Sequence, residues 1–282
     1  GVAMSRATHD ALGVIRDLVQ ARLLAQLFAQ RVHDVAIKGG MAMRVNHEKW
    51  ARATKDIDLD AGPSLSLAAL QNMIRRAIRS ATSDGILKHV QVTEPKQTEV
   101  TARWKISGMD IRTGQVLHLT VEVSRRDTLD PADLRQTSYG PSYGGGENEL
   151  VTVYTDQALA FKKVKALLSD TREAPRDIAD LYLLIQAKVD PPIAHLSHWF
   201  ASGGEAHVRE LWRKLDRMDH AMFRAEVVPS LPPTPDGQDL YQDWDDIRLC
   251  VGEHVENWIR LARGETLVPE PEHAVKRRKV TP

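Results

Sequence analysis

Three aspartates recur at every second position in the segment KDIDLD, at Asp56, Asp58 and Asp60. Because successive side chains of a β-strand point to opposite faces, an extended KDIDLD segment places these carboxylates on one face and Ile57 and Leu59 on the other. Carboxylates at that spacing repel one another unless a cation lies among them. One interpretation is a solvated strand face. The other is a Mg²⁺ site, since Mg²⁺ is usually bound by one or two carboxylates together with substrate phosphates.

A metal site of this kind needs another acid from a neighbouring strand, and Glu122 is the candidate. In the alternating segment VLHLTVEVS, Glu122 shares the polar face with His118 and Thr120, while the valines on either side of it face the other way. A glutamate on the exposed side of such a strand is common, so Glu122 by itself indicates little. Two metal ions about 4 Å apart can share a carboxylate and stabilise both oxygens of an in-line displacement.

Gly39 and Gly40 stand between a short apolar strand and the start of a helix in the segment VAIKGGMAMR. A turn of this kind presents unobstructed backbone N–H groups, and the helix dipole favours an anion there. A Gly-Gly pair alone is usually only a turn, and the chain has no Walker motif. Followed by Asp-x-Asp on a strand, however, the pair predicts phosphate-binding amides upstream of metal-binding carboxylates. Lys38 could also contact phosphate, although a lysine that ends a strand needs no such explanation.

The elements that must position these groups follow from the hydrophobic periodicity. The pattern predicts helices and alternating strands in the first half, and mainly helices in the second. Between them, residues Gln136–Glu149 carry four glycines and a proline, which predicts a domain junction or a mobile loop. We therefore predict an α+β protein with strands and helices in residues 1–148, and a helical C-terminal domain in residues 149–282.

Composition narrows the class of protein. The chain has 282 residues, of which 42% are hydrophobic, and its 38 basic and 38 acidic residues give a formal net charge of zero. Nucleic-acid binding must therefore depend on local basic patches. The single cysteine, Cys250, excludes an internal disulfide framework and a multi-cysteine zinc site, and it suggests a reducing compartment. No segment predicts a membrane span or a signal peptide, which favours a cytoplasmic location.

Four sequence blocks resemble one known family. KGGMAMR followed by TKDIDL, then LTVEVS, ALAFKKVKALL and RDIADLYLL are similar to the motifs of AbiEii/AbiGii-type toxins, including the mycobacterial MenT group. These toxins belong to the polymerase-β-like nucleotidyltransferase superfamily, which implies that residues 1–148 form a small mixed sheet flanked by helices. The blocks run from Lys38 to Leu184, about half of the chain, and the first is the most specific. Met41 departs from those relatives that have Ser or Thr after Gly-Gly, so this position has no hydroxyl to contact phosphate or to be phosphorylated.

The resemblance also implies functional roles for Lys163 and Asp177. Lys163 borders the apolar stripe of its predicted helix, so its ammonium must extend toward solvent or toward nucleotide phosphates. Asp177 falls in the first turn of a helix opened by Pro175, where the helix dipole favours any acid, so structural and functional roles are both open. Asp180 could pair with Arg176 one helical turn away.

The resemblance implies a bacterial type IV toxin that moves a nucleoside monophosphate from an NTP to RNA, with tRNA 3′ ends as the expected target and an antitoxin protein as partner. Asp56 and Asp58 would bind Mg²⁺ (or Mn²⁺) and the triphosphate, and Glu122 would complete the site or act as general base. Lys163 would neutralise phosphate charge, and Gly39 and Gly40 would bind phosphate. Five arginines are candidate RNA contacts: Arg75, Arg76, Arg79, Arg125 and Arg126.

Two alternatives remain open. One is a nucleotidyltransferase that modifies a protein or small-molecule hydroxyl, which the zero net charge favours. The other is a regulatory module that binds a nucleotide without turnover. The intact Asp-x-Asp pair speaks against the regulatory module, because a binding module could lose one acid without penalty.

Overall fold

A computed structural model of the chain describes residues 2–141, 148–232 and 234–265, with side chains from residue 11 onward. The glycine-rich centre of the predicted junction and the basic C-terminal tail lie outside these residues. None of the helices within the described ranges combines the length and the apolar character that a membrane-spanning segment needs.

Seven strands form one mixed sheet in the described part of the chain, in the order β3-β4-β5-β2-β1-β7-β6. The pairs β2–β5 and β1–β7 are parallel, and the other neighbours are antiparallel. The strands are β1 (Val35–Lys38), β2 (Asp56–Ala61), β3 (Leu87–Gln97), β4 (Thr101–Asp110), β5 (Val116–Ser124), β6 (Leu134–Tyr139) and β7 (Glu149–Tyr154). The predicted mixed sheet flanked by helices, and with it the α+β class, is confirmed.

Helices precede, interrupt and follow the sheet along the chain. They are α1 (Val2–Ala29), α2 (Gly39–His47), α3 (Leu67–Thr82), α4 (Asp156–Leu167), α5 (Pro175–Gln186), α6 (Ile193–Ala201), α7 (Val208–Arg217), α8 (His220–Glu226), α9 (Pro235–Leu240) and α10 (Trp244–Ala262). Residue types explain several helix starts. Thr155 caps α4 by accepting a hydrogen bond from the Ala158 N–H. Pro175 occupies the first turn of α5, as predicted.

Contact density divides the chain into two units. The first comprises residues 1–45 and 53–154 and contains the whole sheet, with α1 packed on α3 and contacting β7 and β5. Ile57 and Leu59 of β2 are fully buried, as their alternation with the aspartates predicted. The first unit extends past the predicted boundary at residue 148, because β7 pairs with β1 in the sheet.

The second unit comprises residues 46–52 and the chain from residue 155 onward. Its helix α10 contacts α5, α6 and α7, and it buries Trp244, Cys250 and Trp258. Burial raises the pKa of the Cys250 thiol to about 12, as expected for a cysteine of the core. The short segment 46–52 joins this unit through polar contacts, since Asn46 and His47 both bind the carboxylate of Asp156.

Candidate active site

Four charged side chains form a row across four adjacent strands of the first unit. In register, Lys38 of β1 lies opposite Asp58 of β2, Asp58 opposite Glu122 of β5, and Glu122 opposite Arg103 of β4. We call these four residues the charged row. Paired strands are about 4.8 Å apart, so Asp58 and Glu122 are immediate neighbours across the sheet. The row has two acids at its centre and one base at each end.

The other two aspartates of β2 lie on either side of the charged row. Asp56 is exposed, Asp58 is half-buried and Asp60 is buried, so solvent access falls along the strand. The half-buried Arg16 of α1 is close enough to Asp56 for their charges to interact, although burial is the larger influence and lowers the pKa of that arginine. The carboxylates therefore share one face, as predicted, but not one environment.

Asp60 is bound within the protein. The Tyr154 hydroxyl donates a hydrogen bond of 2.6 Å to Asp60 Oδ2, and Lys38 Nζ lies 2.5 Å from Asp60 Oδ1. Burial and the charge of Asp60 raise the pKa of Tyr154 well above its ordinary value, so this hydroxyl stays protonated and remains a donor. Tyr154 and Lys38 thus compensate the negative charge of Asp60. The ammonium of Lys38 contacts an aspartate, and its role toward phosphate stays a prediction.

Glu122 is paired with Arg103. Arg103 Nε donates a 2.7 Å hydrogen bond to Glu122 Oε2, and Nη2 donates to the same oxygen. The side chains of Arg103 and Glu122 are 37% and 36% exposed, so water screens this pair. Glu122, the candidate third metal ligand, is therefore ion-paired with Arg103 in this structure.

Gly39 brings a helix N-terminus against Asp58. It is the first residue of α2, follows β1 directly, and has φ +63°, a conformation that strongly favours glycine. A Cβ at this position would lie 2.9 Å from Asp58 Oδ2, too close for normal contact. The first N–H groups of α2, starting with those of Gly39 and Gly40, have no partner inside the helix, as in any helix, and can bind an anion.

The donor set fits a magnesium ion in its chemistry, and its residues occupy neighbouring positions in the sheet. Carboxylate oxygens are the ligands that Mg²⁺ prefers, and Asp58 and Glu122 occupy adjacent strand positions with Asp56 two residues along the same face. Within the described ranges, however, no three Asp, Glu, His or Cys side chains converge closely enough to bind an ion. At least one of these side chains has to move for three carboxylates to meet, and Glu122 is bound to Arg103.

Lys163 and Asp177 belong to a separate cluster in the second unit. Lys163 Nζ lies 3.0 Å from Asp177 Oδ1 and 2.7 Å from Asp180 Oδ2. Arg52 donates two hydrogen bonds of 2.9 Å to Asp180, and Arg172 donates two, of 2.8 and 3.4 Å, to Asp177. We call these five residues the ion-pair network. All are buried except Arg172, whose side chain is 50% exposed.

The network determines the ionisation of Asp180. Burial alone would raise the pKa of Asp180, but the charges of Arg52 and Lys163, together with their hydrogen bonds, hold it below its ordinary value. Asp180 binds these two residues and not Arg176, the partner that helical spacing suggested, because Arg52 offers a two-pronged contact from a distant part of the chain. Asp177 does fall in the first turn of α5, as predicted.

Three arginines of these clusters were missed by the sequence reasoning: Arg52, Arg103 and Arg172. Arg103 could have been found, because the residues around it alternate between polar and apolar and their strand, β4, pairs with the Glu122 strand. Arg52 could not have been found from periodicity, since it is 128 residues from Asp180.

The candidate RNA contacts separate into two groups. Arg75 binds the carboxylate of Glu94 through two nitrogens, and Arg125 binds Glu99 and the carbonyl of Leu65. The remaining three are exposed on the first unit: Arg76, Arg79 and Arg126. Two of the five arginines are thus already engaged by the protein.

Comparison with known proteins gives a family and a fold. Residues 22–248 match the sequence profile described as "Nucleotidyl transferase AbiEii toxin, Type IV TA system". Among solved structures, a "putative nucleotidyltransferase" from H. pylori has a TM-score of 0.52 and 14% identity, covering 92% of this chain and 96% of its own. JHP933 from Helicobacter pylori has a TM-score of 0.46 and 14% identity, covering 92% and 93%. At 14% identity, the first of these likenesses indicates the fold alone. No curated protein matches the chain.

Proposed function

The chain belongs to the AbiEii nucleotidyltransferase toxin family, and from this premise we propose that it transfers a nucleoside monophosphate from an NTP to RNA, with the 3′ end of tRNA as acceptor. The nucleotidyltransferase class follows from the family. One observation carries the site assignment: Asp58 and Glu122 are neighbours in register on β2 and β5, and the helix that starts at Gly39 abuts Asp58.

The reaction is an in-line displacement at the α-phosphorus. The acceptor hydroxyl oxygen bonds to this phosphorus while the bond to the β-phosphate oxygen breaks, and pyrophosphate leaves with the electron pair. Bound Mg²⁺ would supply charge neutralisation at the phosphate oxygens. Catalysis of this type depends mainly on positioning and on compensating charge, both of which side chains on a rigid sheet can provide.

We assign roles in the first unit from the charged row. Asp56 and Asp58 bind the metal, and Glu122 either completes the ligand set or accepts the proton of the attacking hydroxyl. The backbone N–H groups of Gly39 and Gly40 hold phosphate oxygens, for which the absence of a side chain at Gly39 leaves room. Mn²⁺ can replace Mg²⁺ in an oxygen-ligand site of this kind.

In the second unit, we assign Lys163 to charge neutralisation on the phosphates and Asp177 to its placement. The ammonium of Lys163 contacts two carboxylates, so a phosphate would bind its third N–H or replace one of the two. The family also implies an antitoxin partner, and we expect the toxin to act in the cytoplasm.

A different acceptor is the second candidate function. The formal net charge is zero, and Arg75 and Arg125 are already bound to acids, which reduces the positive surface available to RNA. Both features favour a protein or small-molecule hydroxyl as acceptor. A nucleotide-binding module without turnover shares the same site but predicts no transfer.

One labelling experiment separates the three functions. The purified chain is incubated with each NTP labelled at the α-phosphorus, with Mg²⁺ and with total RNA, and label is followed into RNA, protein and small molecules. We expect label in tRNA and a loss of about a hundredfold or more in Asp58→Asn, because a metal ligand is removed. Glu149→Gln is the matched control, since it also neutralises an acid on a strand of the same sheet and should keep full activity.

Each result has a defined meaning. Label in protein or in a small molecule, lost in Asp58→Asn, would replace RNA by the second acceptor class. Nucleotide binding without any label would identify the regulatory module. RNA label that persists in Asp58→Asn would overturn the site assignment while leaving the enzyme class intact.

A further inference from the structure

Glu122 has two charged neighbours in the charged row, an acid and a base, and its carboxylate is bound to the base. Asp58 lies in register on one side of it and Arg103 on the other. Both donor nitrogens of Arg103 contact Glu122 Oε2. The carboxylate that should join Asp58 around a divalent cation is therefore held by a cation of the protein itself.

We propose that Arg103 is a resident counter-ion that competes with the divalent metal for Glu122, so that the metal site is completed only when Glu122 leaves Arg103. The inference rests on the proposed function, because it takes Glu122 to be a ligand. Arg103 is thus a positioning residue that sets the metal concentration at which the site forms.

The charges of the row explain why a counter-ion is needed. Without a metal, Asp56, Asp58 and Glu122 would repel one another on one sheet face. Lys38 stands at the other end of the row, but its ammonium contacts Asp60. Arg103 is therefore the member of the charged row that can neutralise Glu122. With three carboxylate ligands engaged, a doubly charged ion compensates more charge than one guanidinium, so exchange is favourable when metal is present.

The exposure of the pair makes this exchange easy. Both side chains are more than one third exposed, and ion pairs of that exposure are weak because water screens them. A released guanidinium at this position returns to solvent without leaving a buried charge. The Arg52–Asp180 pair in the second unit is buried and could not be exchanged in this way.

The nearby lysine of the same strand provides a matched control. Lys105 lies two residues from Arg103 on the same face of β4 and is exposed, but its register partner is Thr120. Removing Lys105 changes the local field by the same one charge and leaves the Glu122 contact intact. A specific counter-ion effect must therefore appear at position 103 and not at position 105.

The test is a titration of the nucleotide-free full chain with Mn²⁺, in which electron paramagnetic resonance measures the free ion. We expect Arg103→Gln to lower the Mn²⁺ dissociation constant about threefold to tenfold, which corresponds to the loss of one weak ion pair. Lys105→Gln should change it less than about twofold. Arg103→Thr is a second variant suited to a strand, should Arg103→Gln fold poorly. The Mg²⁺ concentration for half-maximal activity should fall in parallel.

The outcomes distinguish this inference from the proposed function. Unchanged or weaker Mn²⁺ binding in both Arg103 variants overturns the inference, as does an equal gain in Lys105→Gln. If Asp58→Asn loses Mn²⁺ binding but both Arg103 variants bind Mn²⁺ like the wild type, this inference fails and the proposed metal site stands. If Asp58→Asn binds Mn²⁺ as well as the wild type, the proposed metal site fails too.

Discussion

The charged row of the first unit and the ion-pair network of the second use the same residue types in opposite ways. In the row, acids and bases are half-exposed neighbours on a sheet, and Asp56 is exposed to solvent. In the network, two carboxylates that are 2% exposed are surrounded by Arg52, Lys163 and Arg172. The row can exchange partners with solvent ions, whereas most of the network cannot.

Burial explains this difference. A buried charge that loses its partner keeps the full cost of its desolvation, so the network holds its members in place. A half-exposed carboxylate can turn to water or to a metal at little cost. Carboxylates suited to bind an incoming cation therefore belong on the sheet face, and those suited to fix the helices around Lys163 belong in the interior.

The largest expected effect is in the network. Arg52→Ala leaves Asp180 buried with Lys163 as its remaining partner in the cluster, and we expect it to lower the free energy of unfolding by about 3–5 kcal/mol. Chemical denaturation followed by circular dichroism measures this loss. Lys49→Ala is the control, because it breaks an exposed pair with Asp236 and should cost about 0.5 kcal/mol or less. Similar losses in the two variants would contradict the comparison.

Acid should weaken the second unit through Asp180. The folded pKa of this group is lowered, so the unfolded chain binds its proton first, and the stabilisation is complete only above the unfolded value of about 3.9. It is lost as the pH falls through the folded pKa. Urea denaturation between about pH 7 and pH 3 should show this decline, and Asp180→Asn, already less stable, should show a smaller one. If the stability of Asp180→Asn declined as much as that of the wild type, groups other than Asp180 would be responsible.

A glycine substitution should separate backbone strain from site chemistry. Gly39→Ala forces a left-handed conformation on alanine at a cost of about 1–2 kcal/mol, and its Cβ would displace Asp58. Gly114→Ala has a similar φ, +69° against +63°, but open space around its Cβ. Both variants should lose similar stability, and Gly39→Ala should also lose nucleotide transfer. Equal transfer activity in Gly39→Ala and Gly114→Ala would show that the contact between position 39 and Asp58 does not matter for activity.

The smallest effect on stability is expected on the sheet face. Asp56→Asn neutralises an exposed acid and should change the free energy of unfolding by less than about 0.5 kcal/mol, while metal binding weakens. Thermal denaturation without metal, together with Mn²⁺ titration, measures both quantities. A large loss of stability would show that Asp56 is structural and that the two regions differ less than their burial indicates.

Local patterns predicted much of the first unit. Alternation in β2 and β5 placed the apolar side chains correctly, and Pro175 located the first turn of α5. The strand β3 had no such signal, because most of its side chains are exposed and polar and it contains Pro95 at the edge of the sheet. β7 was missed as a strand, so the sheet continued beyond the boundary that glycine composition had suggested.

By itself, the sequence determined that Asp56, Asp58 and Glu122 lie on polar strand faces and that a glycine pair precedes a helix, because these are consequences of spacing along the chain. Only the tertiary structure decided which partners those charges have. The register of β2, β5 and β4 brought Glu122 between Asp58 and Arg103, and folding of the second unit brought Arg52 to Asp180. Pairing between distant segments depends on how elements pack, and side-chain periodicity carries no information about it.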